Sequence, residues 1–158
     1  MKKIMIVDDN YLSAEGIEKN IDWETLNAEI IHVCYNGTSA IEAMKKEPAD
    51  LIISDIEMPD LDGISMSRQA LEINPMVKII LISAYDKFEY ARRALLLGAL
   101  DYIEKPLDYA YLIQKVKNAF ALMEKEQKNL QLLKQSRPLL TEKFFREITH
   151  LPSSEAAY

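Results

Sequence analysis

Residues Leu51–Gly63 read LIISDIEMPDLDG. An apolar run of strand length, Leu51–Ser54, drives straight into four carboxylates: Asp55, Glu57, Asp60 and Asp62. Like charges this close repel unless they point apart or a cation sits among them. Asp62-Gly63 reads as a turn feeding a helix, with the Asp62 carboxylate capping exposed N–H groups, and Asp60 shares that loop role. Asp55, delivered by the apolar run, is the acid left without a local explanation. Glu57 stays open between a structural and a functional reading.

Working outward, four more short runs share this character: Ile4–Val7, Glu29–Cys34, Lys78–Ser83 and Leu100–Glu104. Most are rich in Ile, Val or Leu with little polar alternation, as in strands covered on both faces of a parallel sheet. Stretches of helical period lie between them. Leu12–Asn20 places Leu12, Gly16/Ile17 and Ile21 at helical spacing. Thr38–Lys46 carries Ile41 and Met44, with Thr38 or Ser39 as N-cap and Glu42 at capping-box distance from Ser39. Ile64–Ile73 stops before Asn74-Pro75, Lys87–Leu97 stops at Gly98, and the last helix begins at Tyr109. Five strands alternating with five helices predict an α/β fold: a doubly wound, five-stranded parallel sheet with helices on both faces.

Composition agrees. A chain of 158 residues with 49% hydrophobic and 28% charged residues is ordinary for a globular protein and long enough for one domain plus an appendage. The net charge of −6 argues against a generic binder of phosphate backbones. The single cysteine, Cys34, permits no internal disulfide and reads as a core residue. MKKIMIVDDN lacks the apolar stretch of about 7–15 residues that a secretory signal needs. The chain therefore reads as cytoplasmic, without membrane attachment.

In doubly wound sheets, ligands bind beyond the carboxyl ends of the strands. The first run ends in Asp8-Asp9, the third in Asp55, the fourth in Ser83-Ala84 and the fifth in Lys105-Pro106. Carboxylates, a hydroxyl and an ammonium from distant segments thus gather at one rim. Converging carboxylates raise one another's pKa, and a hard divalent cation such as Mg²⁺ relieves that strain through oxygen ligands. There an aspartate could act as nucleophile toward phosphorus, with metal and lysine neutralising the developing charge.

This spacing resembles the receiver domain of two-component response regulators over about residues 2–122. The resemblance rests on the acidic pair after the first strand, Asp55 followed by MPDLDG, Ser83-Ala84, and Lys105-Pro106, all in order. It implies a flavodoxin-like sheet of strand order 2-1-3-4-5. It implies that Asp55 accepts a phosphoryl group from a sensor histidine kinase. Asp9 would ligate Mg²⁺ directly, Asp8 directly or through water, with Asp55 and the backbone carbonyl of Glu57 completing the protein ligands. Ser83 would hydrogen-bond a phosphoryl oxygen, and Lys105 would pair with carboxylate or phosphoryl oxygens across a cis Lys105–Pro106 bond. Tyr102 matches the aromatic switch position that moves with the hydroxyl and reshapes the face formed by the fourth and fifth helices and the fifth strand. Glu57 and Tyr85 occupy positions where the family tunes phosphoryl lifetime. The resemblance further implies a signalling protein whose only chemistry is its own phosphorylation and dephosphorylation. His32 and His150 read as non-functional, and Trp23 as a packing anchor.

The last helix should present Leu112, Val116, Ala119/Phe120 and Met123 to the core, run on over Lys125–Gln135, and break at Arg137-Pro138. A second amphipathic helix, Leu139–Ile148, is expected beyond the break. FEYARRALLLGALDYIEKPL and SRPLLTEKFFREI resemble the subgroup of response regulators with an AraC-type DNA-binding output domain. Residues 123–158 then form a connector toward an output domain that this chain lacks, and the reading is of a receiver cut from a longer transcription regulator. Arg92, Arg93, Asp101 and Glu104 could form a homodimer face. Three other readings compete. A Mg²⁺-dependent phosphatase of the haloacid-dehalogenase type is faintly echoed by Asp55-Ile56-Glu57, but that motif normally follows the first strand. A flavin or nucleotide binder would need a phosphate loop where Asp8-Asp9 stands. A receiver that docks proteins without taking phosphate would not need the acid pair, serine and lysine.

Overall fold

The computed structural model describes residues 1–84 and 88–150, with side chains at all of these except positions 88, 91, 95 and 135–150. Five strands alternate with five helices: β1 (Lys2–Val7), α1 (Tyr11–Asn20), β2 (Ala28–Cys34), α2 (Gly37–Lys46), β3 (Leu51–Asp55), α3 (Gly63–Ile73), β4 (Lys78–Ser83), α4 (Phe88–Leu97), β5 (Asp101–Glu104) and α5 (Tyr109–His150). All four strand pairings are parallel, in the order β2-β1-β3-β4-β5. The chain steps one way from β1 to β2 and the other way from β3 onward. The switch point therefore lies between the carboxyl ends of β1 and β3, where such sheets place their ligands.

The sheet forms where the apolar runs predict because its central strands are covered on both faces. Every residue of β3 is buried, as are Ile4–Val7 of β1 and Ile79–Ser83 of β4. Each Ile or Leu taken fully out of water contributes roughly 1.5–3 kcal/mol. Alternation along the strands divides the core. Met5, Val7, Ile52, Ile79 and Leu81 pack with Ala40 and Met44 of α2, Ile64 and Met66 of α3, and Ala94 of α4. Ile4, Ile6, Ile53 and Ile80 face the other way. Edge strand β2 is only partly covered, which suits its mixed sequence AEIIHVC. Trp23 is buried and its indole N–H donates to the Ile17 carbonyl at 3.3 Å, closing the connection after α1.

Three details differ from expectation. Leu12 lies on the solvent face of α1, 79% exposed, and Ala14, Ile17 and Ile21 make the buried stripe. The α1 stripe begins two positions later, at Ala14, which shares a helical face with Ile17 and Ile21, whereas Leu12 lies on the other face. Asn10 caps the helix, its side chain accepting from the N–H groups of Leu12 and Ser13. Similarly, Asn36 rather than Thr38 or Ser39 caps α2, accepting from the Ser39 N–H at 2.8 Å. Finally, α5 does not end at Pro138 but continues to His150. Proline removes one backbone donor at a cost of about 3 kcal/mol, yet the segment before it is built of Glu, Lys, Gln and Leu, strong helix formers that keep the remaining ladder. The apolar face expected on 139–148 and the segment 151–158 lie outside the described side chains and residues respectively. By its internal contacts the chain divides into two units, Met1–Phe120 and Ala121–Tyr158. Among the described residues, no helix is long and apolar enough to cross a membrane.

Two glycines answer to geometry. Gly98 closes α4 with a φ of +93°, the left-handed conformation expected of a helix-ending glycine. Gly63 opens α3 hard against the end of β3. Its N–H donates to the Ile56 carbonyl at 2.8 Å, and an added Cβ would meet the Asp55 carbonyl oxygen and, at 2.9 Å, the Ile56 Cα. Both obstacles are backbone and cannot rotate away. Gly63→Ala should therefore lower the unfolding free energy by about 2 kcal/mol or more, read from urea titration. An unchanged midpoint would mean that the contact between α3 and β3 is looser than drawn.

Candidate functional site

The strand ends deliver the predicted groups to one rim. The Asp8 N–H continues the ladder onto the Cys34 carbonyl at 3.0 Å, so Asp8 is still held as strand. Asp55 closes β3, and the next N–H, of Ile56, donates to the Ile82 carbonyl at 2.9 Å. Ser83 closes β4, fully buried, and its carbonyl accepts from the Lys105 N–H at 2.8 Å. The Lys105–Pro106 bond is cis. Rigid ladders thus fix the backbone beneath all four positions.

Asp8, Asp9 and Asp55 each bring one carboxylate oxygen within 4.8 Å of the others. Lys105 Nζ lies 3.4 Å from Asp8 Oδ2 and 3.5 Å from Asp55 Oδ2. These separations are long for hydrogen bonds, so the attraction is mainly electrostatic. Asp8 and Asp55 are only 2% and 8% exposed, whereas Asp9 is exposed. The Asn10 N–H supports Asp8 by donating to its Oδ1 at 2.9 Å. With one ammonium among three carboxylates, the cluster holds more negative than positive charge.

The imbalance appears in the protonation of Asp55. Burial, reinforced by the negative charge of Asp8, pushes its pKa from the ordinary 3.8 to about 6, against the pull of Lys105. Burial also works against the Lys105 charge, but Asp55 and Asp8 outweigh it and hold the ammonium above its usual pKa. An all-oxygen, carboxylate-rich donor set with uncompensated charge fits a hard divalent cation and would not suit a soft metal.

The other predicted residues distribute as follows. Tyr102, on β5 opposite Leu81, is half-buried and packs against the core. The Glu57 side chain lines a second cavity, on the α4 side, rather than joining the carboxylate cluster. Asp60 accepts from the Thr38 hydroxyl and N–H, tying the loop after β3 to α2, and the hydroxyl lowers its pKa. Asp62 caps α3, accepting from the Ser65 N–H at 2.7 Å. Cys34 is buried, which raises its thiol pKa, and His32 Nε2 sits 2.9 Å from the Glu47 carbonyl. Both have structural surroundings. Tyr85 lies outside the described residues. Arg93, one of the residues that could form a dimer face, also lines the α4-side cavity with Asp9 and Glu57. Its helical register was visible, yet the rotation of α4 against the loop after β3 was not. On the opposite side, a cavity of about 340 Å³ between α1 and the Lys105–Tyr109 segment is lined by Asp8, Asn10, Lys105 and Pro106 among others.

Comparison with known proteins agrees with this geometry. The family model described as the response regulator receiver domain matches residues 4–117. The uncharacterized transcriptional regulatory protein YesN of Bacillus subtilis (strain 168) is 29% identical over 126 residues, covering 80% of this chain and 34% of that protein. The chain thus spans about a third of that relative's length. The receiver domain of AraT, a response regulator from Geobacillus stearothermophilus, superposes with a TM-score of 0.75 at 34% identity, over 80% of this chain and 98% of that one. A two-component transcriptional regulator AraC from Clostridium phytofermentans gives 0.72 at 30% identity, over 82% and 99%.

The raised pKa of Asp55 makes a signed prediction. Because the folded value lies above the unfolded one, protonation favours the native state. The stabilisation is complete below about pH 4 and lost as pH rises through about 6. Asp55→Asn removes the ionisation. Without divalent cations it should stabilise the protein by about 2–3 kcal/mol at pH 7.5, a gap that closes toward pH 4. Urea unfolding of both proteins across this range checks it, and a gap independent of pH would contradict the raised pKa.

Proposed function

The chain belongs to the response regulator receiver domain family, and on that premise we propose that it is a phosphorylation-controlled switch whose acceptor is Asp55. It is a signalling domain related to transcriptional regulators rather than a metabolic enzyme. The observation that carries the reading is the convergence of Asp8, Asp9 and Lys105 on a buried carboxylate at the switch point of the sheet. In this reading a sensor histidine kinase is the phosphodonor.

The Asp55 carboxylate attacks the phosphorus of the kinase phosphohistidine, the phosphorus–nitrogen bond breaks with its electron pair leaving on the imidazole nitrogen, and the transfer is self-catalysed. Mg²⁺, held by the carboxylates of Asp8, Asp9 and Asp55 and the backbone carbonyl of Glu57, would neutralise charge on the transferred group. The Lys105 ammonium, already placed between Asp8 and Asp55, pairs with an oxygen of the phosphoryl group once it is attached. Ser83, at the end of the neighbouring strand, offers its hydroxyl to another. Tyr102, half-buried on β5, would move with the Ser83 hydroxyl and reshape the surface formed by α4, β5 and α5.

Residues 1–122 serve as the receiver and 123–158 as the connector toward a DNA-binding output domain of the AraC type, which would bind target sequences in the longer regulator. That regulator acts in the cytoplasm and can pair as a homodimer. The phosphatase and flavin-binding readings are disfavoured. The candidate nucleophile closes β3 rather than following β1, and the loop after β1 is acidic.

Incubation with a small phosphodonor and Mg²⁺, followed by intact-mass measurement, tests the proposal. One phosphoryl adduct is expected, abolished by Asp55→Ala and by chelation of the metal. Lys105→Ala should slow its formation by roughly 100-fold. An adduct that survives Asp55→Ala, or multiple turnover of phosphate esters, would refute it.

A further inference from the structure

Beside the carboxylate cluster a cavity of about 490 Å³ opens on the α4 side. That size lies in the range of small-molecule sites, about 300–1,000 Å³. It shares Asp9 with the cluster, and the two residues after Asp55, Ile56 and Glu57, form part of its wall. Its charges are lopsided. Asp9, Glu57 and Asp62 are acidic, and Arg93 is the single cation among the described residues that line it. Asp62 is already engaged in capping α3. Arg93 is partly exposed and makes no ion pair among the described residues. Lys105 lines the other cavity, on the α1 side. An anion that enters from the α4 side therefore meets the Arg93 guanidinium, in a wall that otherwise repels it.

We propose that Arg93 makes this cavity selective for small acyl phosphates, by pairing with the carboxylate that departs when Asp55 takes the phosphoryl group. The inference rests on Asp55 being the acceptor. A lone pair of an Asp55 carboxylate oxygen forms the new bond to phosphorus. The bond from phosphorus to the acyl oxygen breaks, and its electrons leave on the carboxylate, with no proton transferred. In-line displacement sends the departing atom away from Asp55, and the cavity bordered by Asp9, Glu57 and Arg93 is the space that would receive it. A planar guanidinium matches a carboxylate with two parallel N–H groups. Phosphoramidate is the control, because it loses neutral ammonia and offers that fork no anion to grip.

The test measures second-order phosphorylation rate constants, by intact mass with saturating Mg²⁺, for acetyl phosphate and phosphoramidate. The proteins are the wild type, Arg93→Ala, Arg93→Lys and Arg93→Glu. With acetyl phosphate, Arg93→Ala should lose about fivefold while phosphoramidate changes by less than about twofold. Arg93→Glu should lose more and Arg93→Lys less, and the loss should shrink as ionic strength rises. Equal losses with both donors would overturn the inference, because Arg93 would then act on the fold or on the site as a whole. Unchanged rates with both would overturn it as well. A wild-type protein phosphorylated by neither donor would instead remove the acceptor reading, and the inference with it.

Discussion

The lysine ammonium shared by two buried carboxylates is the interaction on which the site depends. Lys105 lies 3.4 Å from Asp8 and 3.5 Å from Asp55, and the three residues come from strand ends separated by most of the domain's sequence. No local structure could hold them together. The parallel ladder does it, with hydrogen bonds running through Asp8, Ile56 and Lys105 up to the rim. The apolar burial of β1, β3 and β4 supplies the rigidity, and the rim carries the cost, since one ammonium cannot balance three acids. Asp55 shows that cost as a pKa near 6. A group held in an unfavourable charge state by its own fold is poised to gain from an added cation, which is the condition a receiver exploits.

Much of this was legible because two simple regularities coincide. Strand-length apolar runs give away a parallel sheet, and β4 was bounded to the residue. Four of the five runs end on or lead straight into a residue of the site. The capping role of Asp62 was legible for the same reason, since its carboxylate needs only the turn beside it. What stayed hidden depends on which of several equivalent local solutions the chain takes. Asn36, Thr38 and Ser39 can all cap a helix, and only the backbone path decides for Asn36. Leu12 stands one turn before Gly16, but the face that packs carries Ala14, Ile17 and Ile21 and leaves Leu12 in solvent. Pro138 forecasts a break that α5 does not make. The role of Arg93 depends on how α4 is rotated against the loop after β3, and periodicity carries no such information.

The two cavities give the site an asymmetry. On the α1 side, Lys105 and Asp8 line a groove that leads to the buried end of the ion-pair network. On the α4 side, Glu57 and Arg93 border an opening that reaches the exposed carboxylate, Asp9. The opening stretch LIISDIEMPDLDG thus contributes to three tasks. Asp55 joins the charged network, Glu57 faces the outer cavity, and Asp60 and Asp62 tie the loop to α2 and α3. Gly63 lets α3 approach closely enough to hold that division in place. The apparent excess of negative charge in one loop resolves into groups that never compete for the same partner.

The most direct test of the central claim is a carboxyl-carbon NMR titration of Asp8, Asp9 and Asp55, with and without Mg²⁺. Metal-free protein should show Asp55 titrating near pH 6. Mg²⁺ should move that transition below the ordinary carboxylate range and perturb Asp8 and Asp9 in the same titration. An Asp55 that titrates as an ordinary carboxylate, with resonances indifferent to Mg²⁺, would contradict the account.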